Sequence, residues 1–123
     1  MKDLKILCVS SQAGYFSAFS AAMGDETSWS IQSLNSGDDA IAAAAANEVD
    51  VVVAAEEVAE GSGLDLIKQV VMKNPFINTA LVSPLEPKEF HEVTEGLGVL
   101  MQLPPKPGKA DAKKLHDCLA RIY

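Results

Sequence analysis

An α/β fold, a doubly wound five-stranded parallel sheet, is what this sequence predicts, and three observations predict it. Strand-like runs alternate with helix-like runs from end to end in the order βαβαβαβαβα, the signature of a parallel sheet covered by helices. Lys5-Ile-Leu-Cys-Val9 and Val51-Val-Val-Ala-Ala55 are short and continuously apolar, as central strands buried on both faces must be. Between such runs the apolar residues recur at spacings of three and four, one stripe per helix.

Each element has its own justification. After the first strand, Phe16, Phe19 and Met23 mark a helix that Gly24 ends. Trp29-Ser-Ile-Gln-Ser-Leu34 alternates rather than running apolar throughout, so it is the best edge-strand candidate. Asp38 and Asp39 put negative charge at the start of Ala40-Ile-Ala-Ala-Ala-Ala-Ala46, a strong helix former. Leu64, Ile67, Val71 and Met72 line a third helix that Asn74-Pro75 stops. Thr79-Ala-Leu-Val82 and Val99-Leu-Met-Gln-Leu103 read as further buried strands. Phe90, Val93 and Leu97 define a fourth helix between Lys88 and Gly98, and Leu115, Cys118, Leu119 and Ile122 give the terminal helix one apolar face.

The 123 residues suit one domain, residues 1–123, long enough to bury a real core. Hydrophobic residues at 48% against 22% charged make the composition globular rather than disordered. Met1-Lys-Asp leads straight into a strand without a signal-peptide pattern, and no apolar run approaches the roughly 18 residues that span a bilayer; a soluble cytoplasmic protein with no membrane partner is expected. Ten basic residues against seventeen acidic ones, a net charge of -7, disfavour nucleic acid as a partner, because its phosphates must be neutralised by Lys and Arg. Cys8 and Cys118 read as buried free thiols. No CxxC or His/Cys cluster offers a metal site, no cofactor is assigned, and His91 and His116 read as surface histidines.

The stretch from Asp50 to Gly63, Asp-Val-Val-Val-Ala-Ala-Glu-Glu-Val-Ala-Glu-Gly-Ser-Gly, followed by Leu64, resembles the central segment of response-regulator receiver domains. The resemblance covers essentially the whole chain, through Lys5-Ile-Leu-Cys-Val9, Gly37-Asp-Asp-Ala-Ile41, and Leu97-Gly-Val99 followed by Lys106-Pro107. It implies the flavodoxin-like fold, whose functional crevice lies at the carboxyl ends of the strands. Five residues after Asp50 and eight before Gly63, the position of the family's phosphoacceptor aspartate holds Ala55. The two acidic residues that follow the first strand in the family, and hold Mg²⁺ with the phosphoacceptor, are here Ser10 and Ser11. The hydroxyl that ends the fourth strand is retained as Ser83. For the family lysine a strict count from Gly96 gives Gln102, Leu103 or Pro104, whereas Lys106-Pro107 forms the expected dipeptide; Lys106 is the better match, with an extra residue accommodated around Pro104-Pro105.

These departures imply a degenerate receiver, since an alanine cannot be phosphorylated and neutral hydroxyls are poor Mg²⁺ ligands. Glu57 can approach the crevice and contact Lys106, whereas strand alternation turns Glu56 away from the side Ala55 faces; the commoner reading makes Glu57 a solvated loop carboxylate beside Glu60. Ser10 and Ser11 lack a neighbouring base that would make them nucleophiles, and read as caps of the loop into the first helix. The expected function is a phosphorylation-independent protein-interaction module in signal transduction, not an enzyme, with an unidentified signalling protein as partner. Family resemblance points to the face of the fourth helix, fifth strand and fifth helix as the working surface and a homodimer interface, with Lys88, His91, Glu92 and Glu95 from the one helix and Lys113, Lys114, Asp117 and Arg121 from the other. The alternatives are a small-ligand sensor using the neutral strand-end crevice and a receiver phosphorylated at another residue.

Overall fold

The computed structural model describes residues 3–24 and 28–123; Met1 and Lys2 lie outside them. The main sheet is parallel and five-stranded, with β1 (Lys5–Val9), β2 (Ser30–Leu34), β3 (Val51–Ala54), β6 (Asn78–Val82) and β7 (Met101–Leu103) in the spatial order β2-β1-β3-β6-β7. Between β3 and β6 the chain adds a two-residue hairpin that the sequence reading did not contain, β4 (Glu57–Val58) against β5 (Gly61–Ser62). The helices are α1 (Ser17–Gly24), α2 (Gly37–Ala45), α3 (Gly63–Lys73), α4 (Pro87–Val93) and α5 (Lys109–Ile122).

Two-residue periodicity explains why β1 and β3 are apolar throughout. Ile6 and Cys8 on β1, with Val51, Val53 and the following Ala55, face a core closed by Phe19 and Met23 of α1 and Leu115 and Leu119 of α5. Leu7, Val9, Val52 and Ala54 face the opposite core, closed by Ala40 and Ala44 of α2, Leu66, Ile67 and Val70 of α3, and Phe90 of α4. Each large aliphatic side chain so buried contributes about 1.5–3 kcal/mol. Strand β2 is an edge, as its alternation predicts, with Trp29 buried and Gln32 exposed.

The structure corrects the sequence reading at the periphery. Val99–Leu103 does not behave as a buried central strand: only Met101–Leu103 pairs, at the other edge of the sheet, and Met101 and Gln102 are half-buried. Met72 is 83% exposed, because Leu66, Ile67 and Val70 set the inner face of α3 and Met72 falls outside their arc. Helix α4 stops at Val93 instead of reaching Gly98. Thr94 turns its hydroxyl back to the Phe90 carbonyl at 2.8 Å and Gly96 follows in the left-handed region, so Val93 is left 46% exposed. On α5, Ile122 is half exposed and Cys118 only partly buried; Ala112, Leu115 and Leu119 carry its inner face.

Candidate functional site

Strand order reverses between β1 and β3, and a doubly wound sheet opens a crevice at that point, beyond the carboxyl ends of the strands. A cavity of about 240 Å³ lies there, lined by Ser10, Ser11, Gln12, Tyr15, Ala55, Glu56, Glu57, Pro105 and Lys106. The fold thus brings Ser10, Ser11, Ala55, Glu57 and Lys106 into one crevice, although they span most of the chain.

Each wall has a local cause. The Ser10 hydroxyl accepts the Gln12 N–H at 3.1 Å, which turns the chain out of β1 and toward α1. Ser11 is exposed, and its N–H donates to the Glu57 carbonyl at 3.0 Å, tying this loop to the hairpin. Ala55 continues β3 by donating its N–H to the Val9 carbonyl, and only 2% of it is exposed, its methyl group belonging to the core under α1 and α5. Lys106 adopts a left-handed backbone, φ 53°, and its N–H donates to the Tyr15 hydroxyl at 3.0 Å, fixing the Pro104-Pro105-Lys106 turn over the crevice.

Glu56 and Ser83 depart from the sequence reading. Glu56 is not turned away: β3 ends at Ala54, so strand alternation no longer governs residue 56, and Glu56 lines the crevice beside Glu57. Glu57 shares that crevice with Lys106, but among the described residues no ion pair joins the two. Ser83 stands apart. It lines a neighbouring groove with Glu56, Leu64, Leu85, Phe90 and Val93, and its hydroxyl accepts the Leu85 N–H at 3.2 Å. The alternative lysine position, Gln102, is committed elsewhere, its amide donating to the Ser83 and Leu85 carbonyls at 3.1 and 2.8 Å.

Among the described residues no group of three or more His, Cys, Asp or Glu side chains is placed to hold a metal ion. Two hydroxyls, an alanine methyl and two exposed glutamates do not fit the Mg²⁺ site that the receiver resemblance implies, which needs oxygen ligands held around one point.

The structural role that sequence reasoning missed is that of Glu60. Its carboxylate accepts from the Ser36 hydroxyl at 2.6 Å, the Gly37 N–H at 2.7 Å and the Asp38 N–H at 3.3 Å, so it caps α2 from the hairpin. The Ser36 and Gly37 bonds hold its carboxyl below the usual carboxylate range. No sequence signal announces it, because the partners are more than twenty residues apart.

The residues expected on the signalling face flank edge strand β7. Lys88, His91 and Glu92 are exposed on α4, and Lys113, Lys114, Asp117 and Arg121 on α5. Glu95 lies in the turn beyond α4, not on the helix. Lys113 and Asp117 pair within α5 at 3.7 Å. His116 is not a plain surface histidine: it is partly buried, with its ring centroid 4.7 Å from that of Trp29.

No family model matches the chain, and no curated protein does. Solved structures do. The chain superposes on the chemotaxis response regulator CheY4 of Vibrio cholerae with a TM-score of 0.79 at 18% identity, covering 99% of this chain and 100% of that one. It is similar to the receiver domain of AraT, a response regulator from Geobacillus stearothermophilus, with a TM-score of 0.80 at 15% identity over 98% of this chain and 96% of that one. The signal receiver domain of an HD domain-containing protein from Pseudomonas fluorescens gives 0.76 at 19% identity, over 98% and 88%. In strand order and overall superposition, the chain has the flavodoxin-like α/β fold of response-regulator receiver domains.

Proposed function

We propose that this chain acts in signal transduction as a receiver-like protein-interaction module whose working does not depend on phosphorylation, and that it is not an enzyme. One observation carries the reading: the end of β3 presents Ala55, its side chain in the core, and the end of β1 presents Ser10 and Ser11. Receiver phosphorylation needs a carboxylate nucleophile and a hard cation that neutralises charge on the transferring oxygens. Methyl and hydroxyl groups supply neither. Incubation with acetyl phosphate and Mg²⁺, followed by intact-mass measurement, is the test: an unchanged mass supports the reading, and stoichiometric gain of one phosphate, on Glu56, Glu57 or any other residue, overturns it.

With the crevice silent, the output surface is the exposed face around β7, with Lys88, His91 and Glu92 exposed on α4 and Lys113, Lys114 and Arg121 exposed on α5. Mixed charge of this kind suits a partner protein or a second copy across a two-fold axis. A second reading, a small-ligand sensor, has one observation in its favour: a cavity of about 390 Å³ between the ends of β1 and β2 and the loop into α1, with Ser10, Gln12, Ser33 and Asn35 on its walls. Native mass spectrometry separates the two readings, since a sensor retains a bound small molecule.

A further inference from the structure

The groove that Ser83 lines, next to the crevice, is mostly apolar. It measures about 300 Å³ and runs between the start of α3 and α4, with Leu64, Leu85, Phe90 and Val93 on its walls and Glu56 and Ser83 at its rim. Val93, the last residue of α4, is 46% exposed beside the groove. The charged residues nearby are mostly acidic. Glu56 is exposed at the rim, and Glu86, Glu89 and Glu92 are exposed on α4 and its cap, against Lys88 on α4 and Lys68 one turn beyond Leu64 on α3.

An apolar trough with an acidic border fits a helix that carries apolar residues on one face and Lys or Arg beside them. We infer that this groove is a docking site for a basic amphipathic helix of a partner protein, its apolar side chains seated against Leu64, Phe90 and Val93 and its cations facing Glu56. The inference rests on the reading of the chain as an interaction module. It adds to the face around β7 a second contact surface, on the α3–α4 side of β6 and beside the crevice. Because Glu56 lines both concavities, a docked helix also covers one wall of the crevice.

The test uses the full chain and a fluorescein-labelled synthetic helix of Leu and Lys with leucines at spacings of three and four. A scrambled peptide of the same composition and a Leu/Glu peptide of the same spacing serve as controls. Saturable binding of the Leu/Lys helix alone is expected, read by fluorescence anisotropy. Val93→Asp and Glu56→Lys should each weaken it about tenfold or more, with an unchanged melting midpoint because both positions are exposed. Equal binding of the scrambled peptide, binding of the Leu/Glu peptide instead, no binding at all, or binding that survives both substitutions overturns the groove. Phosphate uptake from acetyl phosphate counts against the interaction-module reading and leaves the groove untouched, so the two failures are distinguishable.

Discussion

Glu60 Oε1 accepts the N–H of Gly37 at 2.7 Å, across 23 residues of sequence, and this bond fastens the β4–β5 hairpin to the start of α2. The Ser36 hydroxyl and the Asp38 N–H complete the cap. A carboxylate among N-terminal helix donors also meets the positive end of the helix dipole. The hairpin that carries Glu57 over the crevice is therefore fixed by the same side chain that starts α2.

Glu60→Ala should lower the melting midpoint and raise amide exchange at Gly37 and Asp38, while Glu60→Gln should retain part of the cap. The pH dependence has a definite sign. The folded-state pKa of Glu60 is depressed, so its stabilisation is fully present above the ordinary carboxylate value and is lost as pH falls through the lower folded value. Wild type should lose more stability than Glu60→Ala across that acid range; parallel curves would remove the cap from the account.

Gly63 packs against the end of β3 so closely that a methyl group on it would run into the Ala55 carbonyl oxygen, with Leu81 also near. That carbonyl is backbone and has nowhere to go. Gly63→Ala should cost at least the about 1–3 kcal/mol typical of overpacking, read by denaturant unfolding. A wild-type midpoint would mean that α3 can slide away from Ala55.

Cys8 is fully buried, and burial pushes its thiol from 9.0 up to about 12, against a small opposing effect of the Ser20 hydroxyl. A neutral buried thiol is unreactive. At neutral pH the folded protein should expose Cys118 alone to a thiol reagent, Cys8 labelling only on unfolding. Because the folded pKa is raised, this group's stabilisation is complete below pH 9 and is lost as pH rises toward about 12. Cys8→Ser, measured against wild type over that range, should flatten the alkaline loss.

Ala55→Asp alone should not restore receiver chemistry. The new carboxylate would enter a position that is almost wholly buried, where desolvation raises its pKa, and would still lack acidic partners at Ser10 and Ser11. Labelling by acetyl phosphate should be slow or absent until Ser10 and Ser11 are also made acidic. Rapid labelling of the single substitution would show that the metal site needs less than is argued above.

On α5, Lys114→Glu combined with Arg121→Glu should leave the melting midpoint almost unmoved, since exposed charges contribute under about 1 kcal/mol. Self-association or partner binding through the face around β7 should slow measurably, because complementary charge acts mainly on association rate. Sedimentation velocity on the chain, and kinetics with a partner once identified, would expose an unaffected interface.

Periodicity and turn chemistry in the sequence determined the five βα units, the buried pair β1 and β3, and the alternating edge strand β2, because the physics behind them is local: a strand buried on both faces needs apolar residues throughout, and an edge does not. Counting from Asp50 and Gly63 singled out Ala55, and the resemblance to receiver domains brought Ser10, Ser11, Ser83, Glu57 and Lys106 to attention beside it. Only the tertiary structure decided which of these share a crevice. Ser83 lines the neighbouring groove instead, its hydroxyl accepting the Leu85 N–H and its carbonyl the Gln102 amide. Glu56 entered it, because the strand ends one residue before Ala55 and alternation ends with it. Glu60 became the cap of α2 through partners 22 to 24 residues away, and no local pattern encodes a contact that exists only once the sheet has set β2 and β3 on either side of β1.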